Sequence, residues 1–198
     1  MKKSFRIFML VLMMMLPIYV FGGAPFDTVK MNVGSVLEIL GDPKLKGDAG
    51  RKVKEQKLEV IADKMFDYIE LSKRTLGLNW NKFTQEQRKE FVDLFKTVLK
   101  DAYVDKIMTY TNERVNFTKE VSLSETTYEI QSVVVRKSGE VPIFYRAIKR
   151  ENSWKVYDVI VEGVSLINNY RTQFREILGN NPPETLLETL RKKVGKRQ

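Results

Sequence analysis

Residues 154–174 read WKVYDVIVEGVSLINNYRTQF, and the change of period inside them decides the fold. From Trp154 to Val161 apolar and polar residues alternate, the pattern of a strand. From Ser165 the apolar residues Leu166, Ile167, Tyr170, Phe174 and Ile177 return every three or four positions, the pattern of an amphipathic helix. Gly163 stands at the corner, where a residue without Cβ relaxes the backbone. Ser165 is a good N-cap for the helix that follows. A strand therefore turns directly into a helix that can fold back on it.

Working upstream, the period of two holds for some fifty residues. TTYEIQSVVVRK, a turn at SGE, VPIFYRAIKR, a short turn at ENS and WKVYDVIVEG follow a first alternating segment through Val115, Phe117 and Val121. Four strands with close turns predict an antiparallel meander, with one face buried and one wet. Before Glu113 the period is helical. Phe26 to about Leu40 carries Val29, Val33, Val36, Leu37 and Leu40 on one stripe, and GDPKLKGDAG breaks the chain. Leu58, Ile61, Ala62, Met65, Phe66 and Ile69 form the next stripe, with a break beside Asp67 and a C-terminal glycine at Gly77. Thr84 to Gln87 fits a capping box opening a helix that carries Phe91, Phe95, Leu99 and Tyr103. Asn180 to Pro183 stop the helix after the junction, and a last one starts at Glu184. The expected class is α+β: helices, then a four-stranded antiparallel sheet, then helices, with no internal repeat.

The first residues predict a destination. Lys2, Lys3 and Arg6 precede an apolar run from Ile7 to Phe21 and the small residues Gly22, Gly23 and Ala24, the form of a secretory signal peptide. The run is shorter than the roughly 20 residues of a membrane span and contains Pro17. The expectation is a cleaved signal over residues 1–24, with the cut somewhere between Gly22 and Phe26, and a single exported domain over 25–198. Of 34 bases in the 198 residues, removing Lys2, Lys3 and Arg6 leaves 31 against 25 acids, a balance of +6. Export argues against nucleic acid as the partner. Interspersed charges, as in RKVKEQKLE, are those of a solvated helix face.

The chain contains neither histidine nor cysteine. That removes Ser-His-Asp and Cys-His mechanisms, the commonest zinc ligands and any disulfide framework. Asp158 and Glu162 could be read as a carboxylate pair for acid–base work. No nucleophile or metal ligand stands near them in sequence. Asp158 is better read as an acceptor at the end of the sheet, or as the partner of a base such as Arg171.

The run Trp154–Val159, Glu162–Leu166, Asn169–Arg171 and Phe174 resembles the MlaC family of periplasmic phospholipid carriers, also called the toluene-tolerance auxiliary family. Phe66-Asp67-Tyr68, Leu76-Gly77, Trp80, Thr84, Gln87, Phe91, Phe95 and Tyr103 match the family's helical segment in the same order. The resemblance runs from about Val29 to Leu190. It implies a periplasmic carrier whose helices and curved sheet hold lipid tails in an apolar cavity. It implies partners as well: a phospholipid, an outer-membrane lipoprotein–porin complex and an inner-membrane ABC transporter with an MCE-domain protein. Phospholipid would be cargo, and no cofactor, metal or catalytic residue is implied.

Candidate cavity residues follow from the alternation. On the fourth strand Tyr157, Val159 and Val161 compete with Trp154, Val156, Asp158 and Ile160, and the first set is favoured for the helix side. Ile143, Tyr145 and Ala147 oppose it on the third strand; on the second, either Val133 and Val135 or Tyr128, Ile130 and Val134 do. Phe95, Leu99, Tyr103, Ile107 and Met108 on the long helix, with Tyr170 on the helix after the sheet, complete the set. Two readings from other classes compete: a small enzyme on a cone-shaped α+β fold, and an adaptor that regulates an ABC transporter without binding lipid.

Overall fold

The structure, a computed structural model, describes residues 24–109, 113–151 and 153–195. The expected signal segment lies outside the described residues, apart from Ala24. Helix α1 (Ala24–Gly41) and helix α2 (Gly47–Met65) form an antiparallel pair around the glycine-rich break. Helix α3 (Tyr68–Leu76), a 3₁₀ turn (Gly77–Lys82) and the long helix α4 (Gln85–Met108) follow. The sheet consists of β1 (Arg114–Ser124), β2 (Thr127–Arg136), β3 (Gly139–Arg150), β4 (Ser153–Val161) and β5 (Val164–Ser165). Helices α5 (Leu166–Leu178) and α6 (Pro183–Gly195) complete the chain.

Local signals in the sequence set most of the boundaries. Asp67 ends one helix run and caps the next, its carboxylate accepting from the Glu70 amide at 2.9 Å. Gly77 takes φ +55° and closes α3, a conformation that a side chain with Cβ rarely adopts. Thr84 and Gln87 form the reciprocal capping box of α4. Ser165 caps α5 by accepting from the Asn168 amide at 3.1 Å.

The sheet is an antiparallel meander in the order β1-β2-β3-β4-β5, five strands where the sequence predicts four. The fifth is the corner itself. Glu162 at φ +51° and Gly163 at φ +82° make a tight turn, so Val164 and Ser165 pair back onto Val161 and Ile160 before α5 begins. A hairpin this short carries no alternation to read.

A second departure has a larger effect. Ala147 pairs with Val156 but Arg146 pairs with Asp158, so Tyr157 is an extra residue on β4. Such a bulge reverses the parity of every side chain beyond it. Tyr157 therefore does not share a face with Val159 and Val161, as strict alternation predicts. Tyr157 packs with Ile148, Ile167 and Tyr170 among the helices α3–α6, while Val156 and Val159 pack with Tyr145 and Ala147 under α1. The sheet thus buries apolar side chains on both faces near β4, where the sequence predicts one wet face.

Two clusters result. The first joins α3, α4, α5 and α6 through Phe91, Phe95, Phe174 and Tyr170, whose rings lie 4.9–5.6 Å apart. The second lies between α1 and the sheet, built on Val29, Val33, Met65, Ile130, Tyr145, Ala147 and Val156. Phe66 belongs to both, and the Asp67 amide donates to the Val156 carbonyl at 2.9 Å. The α2–α3 break is therefore clamped to the edge of β4.

Candidate functional site

The face of the sheet under α1 is an apolar surface that is not fully closed. Register places Val115 and Phe117 of β1 opposite Val134 and Ser132 of β2. Ile130 and Ser132 pair with Tyr145 and Ile143, which pair in turn with Val159 and Val161. Of the two sets open on β2, the structure puts Tyr128, Ile130 and Val134 on this face, because Tyr128 and Ile130 oppose Ala147 and Tyr145. Helix α1 lies over them with Phe26, Val29, Val33 and Leu37. Phe26 meets Phe117 edge-on at 5.8 Å, and Phe117 stacks on Tyr145 at 6.3 Å. The Phe26 amide donates to Glu120 at 2.9 Å, which ties the start of α1 to the edge strand.

Burial on this face is uneven. Val29, Ile130, Ala147 and Val156 are closed off from solvent, but Phe26, Leu37, Val115, Phe117, Tyr128, Ile143, Trp154 and Val159 are only half-buried. Where the family resemblance implies an apolar cavity, the side chains of α1 rest on the sheet. A depression of about 430 Å³ lies elsewhere, on the outward side of α4, and charged Glu86, Lys89, Glu90 and Asp93 line it with Leu94 and Thr97.

Polar groups on the apolar face are few and partnered. The Ser132 hydroxyl donates to the Ile143 carbonyl at 2.8 Å. Burial pushes the Tyr145 hydroxyl up to about 12, with a hydrogen bond to Ser132 opposing the rise.

The remaining polar side chains of the two motifs serve the frame. Asp158 is buried and accepts from the Ser165 hydroxyl at 2.7 Å and from the Ile167 amide at 3.1 Å. Its ion-pair partner is Arg146 at 3.7 Å, whereas Arg171 donates to the Arg74 carbonyl at 2.7 and 3.1 Å. Glu162 sits in the exposed turn, away from acid–base work with Asp158. Arg150 donates to Asp67 at 2.6 Å and to Glu70 at 2.9 Å, and those hydrogen bonds raise its pKa further. Arg74 bonds Glu70 at 2.7 Å and lies 4.2 Å from the Tyr157 ring centre. This arrangement pins α3 to the β3–β4 hairpin. Among the described residues no group of three acidic side chains is placed to hold a metal ion.

The candidate residues divide between the clusters. Ile143, Tyr145, Ala147 and Val159 come together on the α1 face. Val161 shares that register but stands at the rim, 38% exposed. Phe95, Leu99, Tyr157 and Tyr170 lie in the helical cluster, with Tyr103 at its edge. Ile107 is exposed and Met108 half-buried at the end of α4. Trp154 and Val156, from the set not favoured on the fourth strand, also belong to the face, as do Phe26 and Phe117, which the sequence reading does not single out. The stripe on α1 was legible as a helix; which surface it covers was not.

The family model of the MlaC protein matches residues 30–192. The chain belongs to the MlaC family. Among curated relatives, the intermembrane phospholipid transport system binding protein MlaC of Haemophilus influenzae is 23% identical over 136 residues. That match covers 65% of this chain and 64% of the relative, a little under two thirds of its length. The toluene tolerance protein ttg2D of Pseudomonas putida is 26% identical over 162 residues, 79% of this chain and 74% of that one. A phospholipid-binding protein of Ralstonia solanacearum, solved in complex with a phospholipid, superposes with a TM-score of 0.76 at 27% identity. The match covers 87% of this chain and 97% of the solved one. MlaC membership fits the junction motif and the helical motif alike, since both lie inside the matched residues.

Proposed function

We propose that this protein is a periplasmic phospholipid carrier that holds acyl chains against the α1-covered face of its sheet. The observation that carries this reading is the half-buried state of Phe26, Phe117, Tyr128, Ile143 and Val159 on a face otherwise built like a core. Large apolar side chains left partly wet are an unspent gain, worth about 25 cal/mol for each further Å² covered. Acyl chains can cover them. The phospholipid held by the Ralstonia relative, which shares the fold, supports the same cargo here.

The energetics define the task. Each buried CH₂ contributes about 0.8 kcal/mol, so two chains of roughly 16 carbons cost over 20 kcal/mol to expose to water. A carrier must match the bilayer closely enough to take the lipid and to release it again. Such a hand-over requires no covalent step, and the junction residues are spent on capping and pairing. In this reading the lipid passes between an outer-membrane lipoprotein–porin complex and an inner-membrane ABC transporter with an MCE-domain protein, after the signal over residues 1–24 is removed.

The test is extraction of the purified mature protein and mass spectrometry of what comes with it. The expected result is phospholipid at near one molecule per chain. Protein that folds, superposes in its circular dichroism with a lipid-loaded sample, and never holds phospholipid even after incubation with vesicles would be an adaptor instead.

A further inference from the structure

Of the 19 residues of α2 only Gly50 and Met65, near its two ends, are buried. In α4 the buried residues are Phe91, Phe95, Val98 and Leu99, and none follows before the helix ends at Met108. Charge joins these two stretches. Arg51 meets Asp105 at 2.6 Å, Lys100 meets Glu59 at 2.7 Å, and Lys96 meets Asp63 at 2.6 Å. The pairs run in opposite senses along the two helices, as rungs across an antiparallel seam. All six side chains are between 30% and 66% exposed.

A seam of this kind is easy to part. Exposed ion pairs add little stability, because water solvates both partners once they separate. No buried charge is left behind, and the backbone groups of both helices remain bonded within their own helix. Apolar side chains stand close by without being closed over: Leu58, Ile61 and Ala62 on α2, Ala102, Val104 and Met108 on α4 are half-buried. The seam also leads somewhere. Met65, at the end of α2, belongs to the apolar cluster between α1 and the sheet. The opposite flank of that cluster is held more firmly, by the Phe26–Phe117 ring contact and the bond from the Phe26 amide to Glu120.

We propose that the α2–α4 seam is the passage by which acyl chains enter and leave the α1-covered face, with the three ion pairs as its latch. This rests on the carrier reading above. The bases and acids part into water, the tails slide between the apolar flanks, and the pairs re-form behind them.

The chain has no cysteine, so Glu59→Cys with Lys100→Cys introduces the only two thiols. A short bismaleimide, whose reach does not depend on the narrow Cα geometry that a disulfide demands, joins them after loading with a fluorescent phospholipid. The same protein treated with N-ethylmaleimide carries the same changes without a tether. Transfer is measured to vesicles of phosphatidylethanolamine and phosphatidylglycerol. The tethered protein is expected to keep its lipid and to transfer it on the order of tenfold more slowly than the untethered control. Cutting the latch with Glu59→Gln and Asp63→Asn is expected to speed transfer about twofold. A tethered protein that transfers at the control rate, or that loses its lipid while still folded, overturns the passage. Failure of every form, wild type included, to take up lipid overturns the carrier reading instead.

Discussion

The helical cluster and the sheet cluster are built from similar residues and finished differently. Among the described residues the helical cluster has sixteen buried side chains and seven half-buried ones at its edge. The cluster under α1 has seven buried and nine half-buried. In the first, Phe95 is enclosed by Phe91, Tyr170 and Phe174 from three directions. In the second, Phe117 touches Phe26 on one side and Tyr145 on the other and still meets solvent. Interiors finished to crystal-like density resist any further guest. A surface left partly wet gains from one. In the proposed reading, stability falls to one side of the sheet and cargo to the other.

The sharpest challenge to that division is Phe95→Ala. A fully enclosed phenylalanine should cost about 3–5 kcal/mol when truncated. If cargo lies on the α1 face as proposed, denaturant unfolding of loaded and delipidated protein should show the same loss in both. A loss that lipid repairs would move the cargo into the helical cluster.

A smaller effect comes from Tyr145, a buried member of the cluster under α1. Its hydroxyl ionises at about 12 in the folded protein, above the ordinary 10, because burial disfavours the phenolate. An acid raised in this way adds stability that is complete below pH 10 and is lost as the pH climbs towards 12. Between those limits the slope from this one group approaches about 1.4 kcal/mol per pH unit. Tyr145→Phe should remove one group's share of that slope in a stability titration. An unchanged slope would mean that Tyr145 is reached by solvent.

The smallest effect is expected at Val159, half-buried opposite Tyr145. Val159→Ala should cost about 1 kcal/mol in delipidated protein and less in loaded protein, where tails can fill the space. Val159→Trp should lower the co-purified lipid while leaving the delipidated melting temperature near that of wild type. A badly destabilised tryptophan variant that remains fully loaded would place Val159 in closed core, since overpacking costs about 1–3 kcal/mol.

Much of this frame was legible in advance because it depends on neighbours in the chain. The capping box at Thr84, the helix start at Ser165 and the break at Asp67 are satisfied within three residues of themselves. The meander and its turns follow from alternation and close spacing in the same way. Asp158 shows the limit. Its role as an acceptor at the sheet end was legible, but its partner is Arg146, across one strand pairing, and not the Arg171 that the sequence suggests.

Local pattern in the chain was enough for the α+β class, the order of the helices and of four strands, the exclusion of histidine and cysteine chemistry, and the motifs that the MlaC family shares. Which residues meet depended on packing and strand pairing. One extra residue at Tyr157 turns it to the helical cluster and leaves Val159 on the other face. Nothing in WKVYDVIVEG announces that bulge, because it is a mismatch with β3 and exists only when the two strands pair. The two ends of the α2 and α4 seam lie more than thirty residues apart in the chain, and their charges read in sequence as ordinary solvated faces. Periodicity specifies a face; docking specifies what the face is for.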